Sequence, residues 1–185
     1  MIYPHYLINR EKFVKTKLIL LTCFVFLVSA CGSNDTPKSY PEGTIAAYLA
    51  ADGRFTTFLE ITDEVILESA PPLLVNPERD SLTIFAPTDE AFAALPPALV
   101  NQLKSDPGLA QILLFNHGFD RPLLSKDFGL LNTWPTIITP VKVSFEIDGD
   151  QIQYDGALVI EKDIEVGNSI IHVIDSVTGL ELLTD

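Results

Sequence analysis

Residues 83–92 read TIFAPTDEAF and predict a β-strand that passes directly into an α-helix. The apolar residues before Pro87 favour a strand, and Pro87 ends it because proline lacks a backbone N–H. Thr88 offers a hydroxyl that can cap a helix, and Asp89 and Glu90 follow in the first turn, where the helix dipole favours carboxylates. We place the rest of the fold around this strand-to-helix joint.

Residues 167–177, GNSIIHVIDSV, predict a second strand in the C-terminal part of the sequence. From Ile170 to Ile174 both alternating faces are apolar except at His172, which is typical of a central strand that is covered on both sides. A histidine among such neighbours needs a hydrogen-bond partner, so we interpret His172 as a structural residue.

The segments around these two strands predict helices first and further strands later. Thr44 can cap a first helix that Gly53 ends, a second apolar pattern follows, and Asp106 before Pro107 marks another helix start. Alternating apolar residues from 141 to 147, with turn signals at 148–149 and 155–156, predict antiparallel hairpins. This order favours an α+β fold in a single domain over a doubly wound α/β fold.

The first thirty residues have the composition of a targeting segment. Four basic residues and one acidic residue precede an uncharged apolar run of 13 residues from Leu18 to Ala30. A helix of that length rises only about 20 Å, which is short of the ~30 Å hydrocarbon core of a bilayer. We therefore expect a cleaved signal peptide rather than a permanent membrane span.

The end of this run, VSAC at residues 28–31, resembles a bacterial lipoprotein processing box. The resemblance implies that residues 1–30 are a lipoprotein signal peptide and that Cys31 is acylated, for example with palmitate. We expect the lipid on Cys31 to anchor the protein in the cell envelope, on a bacterial membrane and facing outside the cytoplasm. An ordinary signal peptide with an incidental cysteine is the alternative. Residues 31–41 then form a flexible linker, and residues 42–185 form the domain.

Charge and motifs exclude several classes of function. The formal net charge is −13, and it becomes −16 without residues 1–30, so we expect no binding to nucleic acid, whose phosphates require Lys and Arg. The sequence contains no Gly-x-Ser-x-Gly nucleophile elbow and no Gly-rich phosphate loop. His117 and His172 are the only histidines after residue 30. We therefore expect no metal site, no cofactor and no catalytic residue.

The carboxylates at 148, 150 and 155 could suggest a calcium loop. An EF-hand that starts at Asp148 would need Gly at position six and Glu at position twelve, but Gln153 and Val159 occupy these positions. We interpret residues 148–149 as a tight turn that needs no ion.

Residues 83–92 resemble the first signature box of the fasciclin-like domain, and residues 167–177 resemble its second box. The two boxes occur in order and at the family's separation, so the resemblance covers essentially all of the sequence beyond the linker. It implies structural roles for the motif residues Thr88, Asp89, His117, His172 and Asp175. One departure lies between the boxes: the family usually has a Tyr-His pair there, and Asn116 replaces the Tyr.

The resemblance implies a wedge of about seven β-strands packed with several α-helices, and a role in extracellular or cell-surface adhesion without catalysis. In animal members of the family, an Asp-Ile pair shortly before the second box has been linked to integrin binding. Asp163 and Ile164 occupy that place, and we carry over the position as a partner-binding site but not the partner. The charged neighbours of Asp163 lead us to expect that it is exposed. A merely solvated strand edge is the alternative.

Two functions are open at this point. The first is a membrane-anchored, extracytoplasmic adhesion module that engages an unknown protein or polysaccharide partner through its surface. The second is a carrier of a small, lipid-like ligand, which would bind in an apolar cleft between the helices and the sheet.

Overall fold

Two helices begin the fold, as the sequence predicts. The computed structural model describes residues 39–68, 74–75, 81–130, 133–137 and 142–180. Helix α1 (Ile45–Asp52) begins after Thr44, whose hydroxyl accepts the N–H of Ala47 at 3.2 Å. It ends at Gly53, which adopts a left-handed φ of +81° that favours glycine. Helix α2 (Thr56–Glu68) follows directly.

Three further helices follow the first strand, namely α3 (Asp89–Ala93), α4 (Pro97–Ser105) and α5 (Pro107–Asn116). Thr88 caps α3 by accepting the N–H of Ala91, and Asp106 caps α5 by accepting the N–H of Gly108. Both caps confirm the sequence interpretation. Helix α4 was not identified from the sequence, because among the described residues no side chain caps it and Leu103 is its buried residue.

The strands are β1 (Thr83–Pro87), β2 (Gly118–Phe119), β3 (Thr133–Pro135), β4 (Lys142–Asp148), β5 (Gln151–Tyr154), β6 (Ala157–Val166) and β7 (Ser169–Ile174). Within the described part of the chain they form a seven-stranded sheet in the order β2-β1-β7-β6-β5-β4-β3. Strands β1 and β7 pair in parallel, and the other neighbours pair antiparallel. Strand β7 is therefore internal, as its apolar pattern predicts.

The core consists of two clusters on opposite sides of β1. Ile84 and Ala86 of β1 belong to a cluster with the helices, which we call the helical cluster. Phe85, between them in sequence, belongs instead to an aromatic cluster with residues of β4, β5 and the 3₁₀ helix Ser125–Leu130. In this aromatic cluster the ring of Phe85 stacks on Tyr154, with centroids 4.0 Å apart. Helices packed with one curled sheet confirm the expected α+β wedge.

The described part of the chain includes residues 39–41, which the sequence analysis assigns to the linker. Tyr40 packs against the helical cluster, and its hydroxyl donates to Oδ1 of Asp63 at 2.9 Å. The described residues all fall within one compact unit. The predicted signal peptide, Cys31 and most of the predicted linker lie outside the described residues. In the described ranges, no helix is both long enough and apolar enough to cross a membrane.

Candidate functional site

His172 connects three parts of the fold and is completely buried in β7. Its Nε2 lies 2.9 Å from the carbonyl oxygen of Leu123, so this nitrogen carries the proton and donates it. The other ring nitrogen, Nδ1, accepts the backbone N–H of Asp163 at 3.3 Å. Burial lowers the pKa of His172 and keeps it neutral. Its ring also stacks on Phe85, with centroids 4.9 Å apart.

Asp163 is not the exposed residue that its charged neighbours suggest. It lies at an irregularity in the pairing of β6 with β7, has a left-handed φ of +61° and is half-buried. Its carboxylate accepts the backbone N–H of Ser125 at 2.7 Å and the hydroxyl of Ser125 at 2.6 Å. Burial raises the pKa of Asp163, but these hydrogen bonds and the nearby charges outweigh it, and the net pKa is lowered.

Ile164 is half-buried as well, and it packs against the helical cluster. Asp163 and Ile164 therefore point to different parts of the structure, one to the 3₁₀ helix and the other to the helices. A partner-binding role for this pair stays a prediction, and it would require a partner to compete with these internal contacts.

His117 is the second buried imidazole, at the C-terminal end of α5. Its Nδ1 lies 2.8 Å from the carbonyl oxygen of Leu113 and donates to it, while Nε2 accepts the hydroxyl of Thr178 at 3.3 Å. Burial lowers the pKa of His117 to about 4, although the hydrogen bond to Leu113 partly opposes this. The imidazole is neutral at pH 7 and connects α5 to the segment after β7.

Asn116, the departure from the family's Tyr-His pair, is buried beside His117. Its backbone carbonyl accepts the hydroxyl of Tyr154, whereas its side-chain amide makes no hydrogen bond within the described residues. Gly179 lies directly against this amide, since a Cβ built on Gly179 would be 2.0 Å from Nδ2 of Asn116. The small residue at 179 is therefore what leaves room for Asn116.

Asp89 acts on a different helix from the one that the sequence suggests. Its Oδ1 accepts the N–H of Thr57 at 2.7 Å, and its Oδ2 accepts the N–H of Thr56 at 3.3 Å. These are the first N–H groups of α2, so the carboxylate caps α2 although it belongs to α3. The backbone N–H of Asp89 also donates to the carbonyl of Arg54 at 2.7 Å, which fixes the two helix starts together.

Asp175, the last of the motif residues, closes the β6–β7 ladder. It is exposed, but its Oδ1 accepts the N–H of Leu158 at 2.9 Å and its own N–H donates to the carbonyl of Leu158 at 3.1 Å. Thr88 and Asp89 are neighbours at the start of α3, and the N–H of Thr88 donates to the carbonyl of Ile174, next to Asp175, at 3.3 Å. Each of the five motif residues makes hydrogen bonds within the fold.

Arg54 forms two ion pairs that the sequence analysis did not predict. Its guanidinium pairs with the carboxylate of Asp52 at 2.7 Å and with Glu161 on β6 at 2.6 Å. The hydrogen bond from Arg54 lowers the pKa of Asp52, despite its partial burial. The neighbouring acid at 52 gives a local signal for one ion pair, whereas Glu161 comes close only through the tertiary fold.

A groove of about 250 Å³ lies between α2, α3 and α4 and is lined by Thr57, Asp89, Phe92, Ala93, Leu95, Pro97, Val100, Asn101 and Lys104. Clefts that bury drug-sized ligands usually measure ~300–1000 Å³. The ammonium of Lys104 is paired with Glu60 at 2.6 Å. Among the described residues, no group of three or more His, Cys, Asp or Glu side chains is placed to hold a metal ion.

The family model for the Fasciclin domain matches residues 53–178. An uncharacterized protein of the cyanobacterium Synechocystis is 34% identical over 135 residues, which cover 72% of this chain and 95% of that protein. The rabbit transforming growth factor-beta-induced protein ig-h3 is 30% identical over 144 residues, or 74% of this chain and 19% of that protein. Fasciclin-like arabinogalactan protein 13 of Arabidopsis thaliana is 29% identical, over 52% of this chain and 40% of that protein.

Among solved structures, a FAS1 domain pair from the insect cell adhesion molecule Fasciclin I matches with a TM-score of 0.55. The identity is 21%, and the match covers 73% of this chain and 50% of that one, so it shows the fold alone. Fasciclin domains are adhesion-type, non-enzymatic modules that occur in extracellular or secreted proteins. By the family match, the cyanobacterial relative and the fold, this chain belongs to the Fasciclin domain family.

Proposed function

We propose that this protein is a lipid-anchored adhesion module of a bacterial cell envelope, which binds a macromolecular partner outside the cytoplasm through its folded surface. The observation that carries this proposal is that the polar candidate site residues find their hydrogen-bond partners inside the fold. His172, His117, Asp163 and Asp89 all direct their hydrogen-bonding atoms to the protein itself. The surface of the folded unit is then what a partner can recognise.

One feature supports the anchor. The VSAC sequence at 28–31 has the pattern of a lipoprotein processing box. The nine residues from Cys31 to Tyr40 can span at most about 30 Å. An acylated Cys31 would therefore hold the module close to the membrane surface.

The charge of the chain makes a lipid necessary for this attachment. Without residues 1–30 the net charge is −16, which anionic headgroups would repel, so the side chains cannot supply the attraction. One acyl chain gives only marginal membrane binding, whereas two or more give stable anchoring. We expect Cys31 to carry its lipid in a multiply acylated N-terminus.

The alternative function, a carrier of a lipid-like molecule, receives less support. The groove between α2, α3 and α4 is small for such a ligand, and the charged residues Asp89 and Lys104 line it. We therefore favour a macromolecular partner.

The anchor is tested by mass spectrometry of the N-terminal peptide after expression of the full chain in bacteria. We expect an acylated Cys31 as the first residue. The matched control is Cys23→Ser, which removes the other cysteine and should leave the acyl mass unchanged, whereas Cys31→Ser should abolish it. An unmodified Cys31 in the wild-type protein would contradict the anchor.

The binding role is tested with the full-length protein in nanodiscs of neutral lipid and with cell-envelope preparations as the target. Protease treatment of the envelope should remove binding if the partner is a protein, and periodate should remove it if the partner is a polysaccharide. Binding that is absent, or that both treatments leave unchanged, would contradict an adhesion role.

A further inference from the structure

Residues 123–130, which end with the 3₁₀ helix, are attached to the sheet by side chains and not by strand pairing. Among the described residues, no backbone-to-backbone hydrogen bond joins this stretch to a strand, and the bond from the N–H of Asp127 to the carbonyl of Leu124 stays within it. A segment with so few backbone bonds to its surroundings opens at a lower free energy than the whole domain. We call residues 123–130 the cover segment.

Three polar side chains of the sheet hold the cover segment. The hydroxyl of Thr83 on β1 accepts the N–H of Leu123 at 2.7 Å, and Nε2 of His172 on β7 donates to the carbonyl of Leu123 at 2.9 Å. The carboxylate of Asp163 on β6 accepts the N–H and the hydroxyl of Ser125 at 2.7 and 2.6 Å. Two of these three side chains, His172 and Asp163, are titratable.

His172 and Asp163 also bond to each other, so these hydrogen bonds form a closed ring. The backbone N–H of Asp163 donates to Nδ1 of His172 at 3.3 Å, and the ring returns through Ser125 to Leu123, two residues earlier. This geometry requires an unprotonated Nδ1, because Nδ1 is the acceptor. A proton on Nδ1 would turn it into a donor that faces another donor. A single proton therefore breaks the ring at its centre.

The surroundings of His172 disfavour that proton while the cover segment is in place. Burial lowers the pKa of His172 and Lys162 adds to this, whereas the hydrogen bond to Leu123 and the carboxylate of Asp163 oppose it. Both charged residues belong to β6, and the net pKa is lowered. The closed state thus holds a neutral imidazole against the attraction of the nearby carboxylate.

The other elements packed against His172 present apolar rings to it. Phe85 of β1 and Phe128 of the cover segment have ring centroids 4.9 and 5.0 Å from that of the imidazole. Strand β1 contains no titratable residue, and His172 is the only one in β7. Of the charged residues in the cover segment, Lys126 is exposed and Asp127 accepts the N–H of Leu124 at 3.1 Å.

We propose that His172 and Asp163 form an acid-sensitive clamp that releases the cover segment from the sheet as the pH falls below neutral. Protonation of His172 breaks its bond to the N–H of Asp163, and opening of the segment exposes the imidazolium to water. In stronger acid, protonation of Asp163 removes the acceptor for Ser125. Thr83, which does not titrate, is then the polar side chain that still bonds to the segment.

The direction of this pH dependence follows from the two states of His172. In the open segment its pKa is near ~6.5, and in the closed fold its pKa is lower. Between these values the open state binds a proton that the closed state excludes, so the open fraction rises by up to about tenfold per pH unit as the pH falls. Asp163 acts in the same direction below its unfolded pKa of ~3.9, because its pKa is also lowered in the fold.

Release of the cover segment changes the surface of the protein. Phe128 leaves Phe145, on which it stacks with centroids 4.3 Å apart, and this side of the aromatic cluster becomes accessible. The carboxylate of Asp163 loses Ser125 and becomes available to other donors. The effect on a partner rests on the proposed adhesion function, whereas the release itself is a property of the fold.

Hydrogen–deuterium exchange of the full-length protein in neutral-lipid nanodiscs, followed by mass spectrometry, tests the clamp. Protection factors are corrected for the intrinsic pH dependence of exchange and compared between pH 7 and pH 5. We expect the protection of residues 123–130 to fall by about threefold or more over this range. In His172→Gln, whose side chain still donates to Leu123 but does not titrate, the protection should not change with pH.

His117→Gln is the matched control, because it removes the other buried imidazole and leaves the clamp intact. It should reduce the pH dependence of global unfolding while the cover segment loses protection as in the wild type. Ser125→Ala provides a second variant, since it removes one bond to Asp163 without removing a titratable group. It should lower the protection of the cover segment at both pH values and preserve the change between them.

Three results would overturn the proposal. One is protection of residues 123–130 that is the same at pH 7 and pH 5 in the wild type. Another is an equal fall in wild type and His172→Gln, with both folded by circular dichroism at pH 7. The third is a fall that His117→Gln abolishes, which would assign the exchange to global unfolding. The measurement needs neither a partner nor an acylated Cys31, so its failure is distinct from failure of the proposed function.

Discussion

Ser125 donates both its backbone N–H and its hydroxyl to the carboxylate of Asp163, at 2.7 and 2.6 Å. The two residues are 38 positions apart in sequence, and this contact ties the 3₁₀ helix to the irregular part of β6. Asp163 is also the residue whose backbone N–H donates to His172. One residue thus connects the surface segment that ends in Leu130 to the central strand.

Removal of this carboxylate should destabilise the fold. Asp163→Asn keeps the size and tolerates the left-handed φ, but its amide nitrogen cannot accept from Ser125. We expect the free energy of unfolding to fall by about 2 kcal/mol, which is typical of hydrogen bonds to a charged group. Urea unfolding followed by circular dichroism measures this loss.

Asp150→Asn is the control for this substitution, because Asp150 is exposed in the hairpin turn and should change stability by less than about 0.5 kcal/mol. In a double-mutant cycle with Ser125→Ala, the second substitution should cost little once the first is made. Independent, additive effects would show that Ser125 and Asp163 are not coupled.

Asp89 should stabilise α2 rather than α3. Asp89→Ala removes the acceptor for the N–H groups of Thr56 and Thr57, and we expect a loss of about 1 kcal/mol in the free energy of unfolding. Glu90→Ala changes the neighbouring carboxylate in the same turn of α3 and serves as the matched control. If Asp89→Ala and Glu90→Ala lower the free energy of unfolding equally, Asp89 stabilises the fold through the dipole of α3 and not through the cap of α2.

The neutral state of His117 predicts a loss of stability in acid. The pKa of His117 is about 4 in the fold, whereas a histidine in the unfolded chain titrates near ~6.5. Between these values the unfolded chain binds a proton that the fold excludes, so stability falls as the pH falls through this window. The total loss is about 3 kcal/mol.

His117→Gln isolates this contribution, because glutamine can bond to both Leu113 and Thr178 but does not titrate. The difference in unfolding free energy between wild type and variant should shrink as the pH falls from about 6.5 to about 4. Burial of His172 acts in the same direction in both proteins and cancels in this comparison. A difference that does not vary with pH would contradict a neutral, buried His117.

Gly179 should tolerate no side chain while Asn116 is present. Gly179→Ala places a Cβ 2.0 Å from Nδ2 of Asn116 and must also hold a φ of +68°. The control Gly156→Ala has a φ of +85° with nothing within 4 Å, so it reports the backbone cost alone. We expect Gly179→Ala to cost about 1–3 kcal/mol more than Gly156→Ala, from overpacking.

Truncation of the neighbour should relieve this clash. In the Gly179→Ala background, Asn116→Ala removes the amide and should restore most of the additional loss. Urea unfolding of the single and double variants measures the recovery. If the loss in free energy of unfolding of the double variant equals the sum of the losses of the two single variants, the close contact with Asn116 does not cause the additional loss in Gly179→Ala.

Several helices and a hairpin could be predicted from the sequence, because they depend on interactions between residues that are close together in the chain. The caps at Thr44, Thr88 and Asp106 depend on side chains two or three residues from the N–H groups that they bind. The hairpin between β4 and β5 depends on the turn at Gly149 and on period-two alternation. Short elements escaped this reading, because β2, with two residues, is too short to show a period.

The hydrogen-bond partners of the polar side chains could not be predicted from the sequence in the same way. The sequence places Asp89 in the first turn of α3, but the start of α2 lies beside it only after both helices have packed. Charged neighbours made Asp163 look exposed, whereas the irregular pairing of β6 turns its carboxylate toward Ser125. Such contacts join residues more than 30 positions apart, and no local pattern encodes them.

The sequence alone determined the α+β class, the helix caps, the buried central strand and the resemblance to the fasciclin-like domain, because each depends on neighbouring residues or on the order of two motifs. Only the tertiary structure decided which polar groups the fold uses internally and which apolar residues reach the surface, as Leu130 and Ile147 do. The physical reason is that burial and hydrogen bonding are settled by the packing of distant segments, whereas turns, caps and periodicity are settled within a few residues.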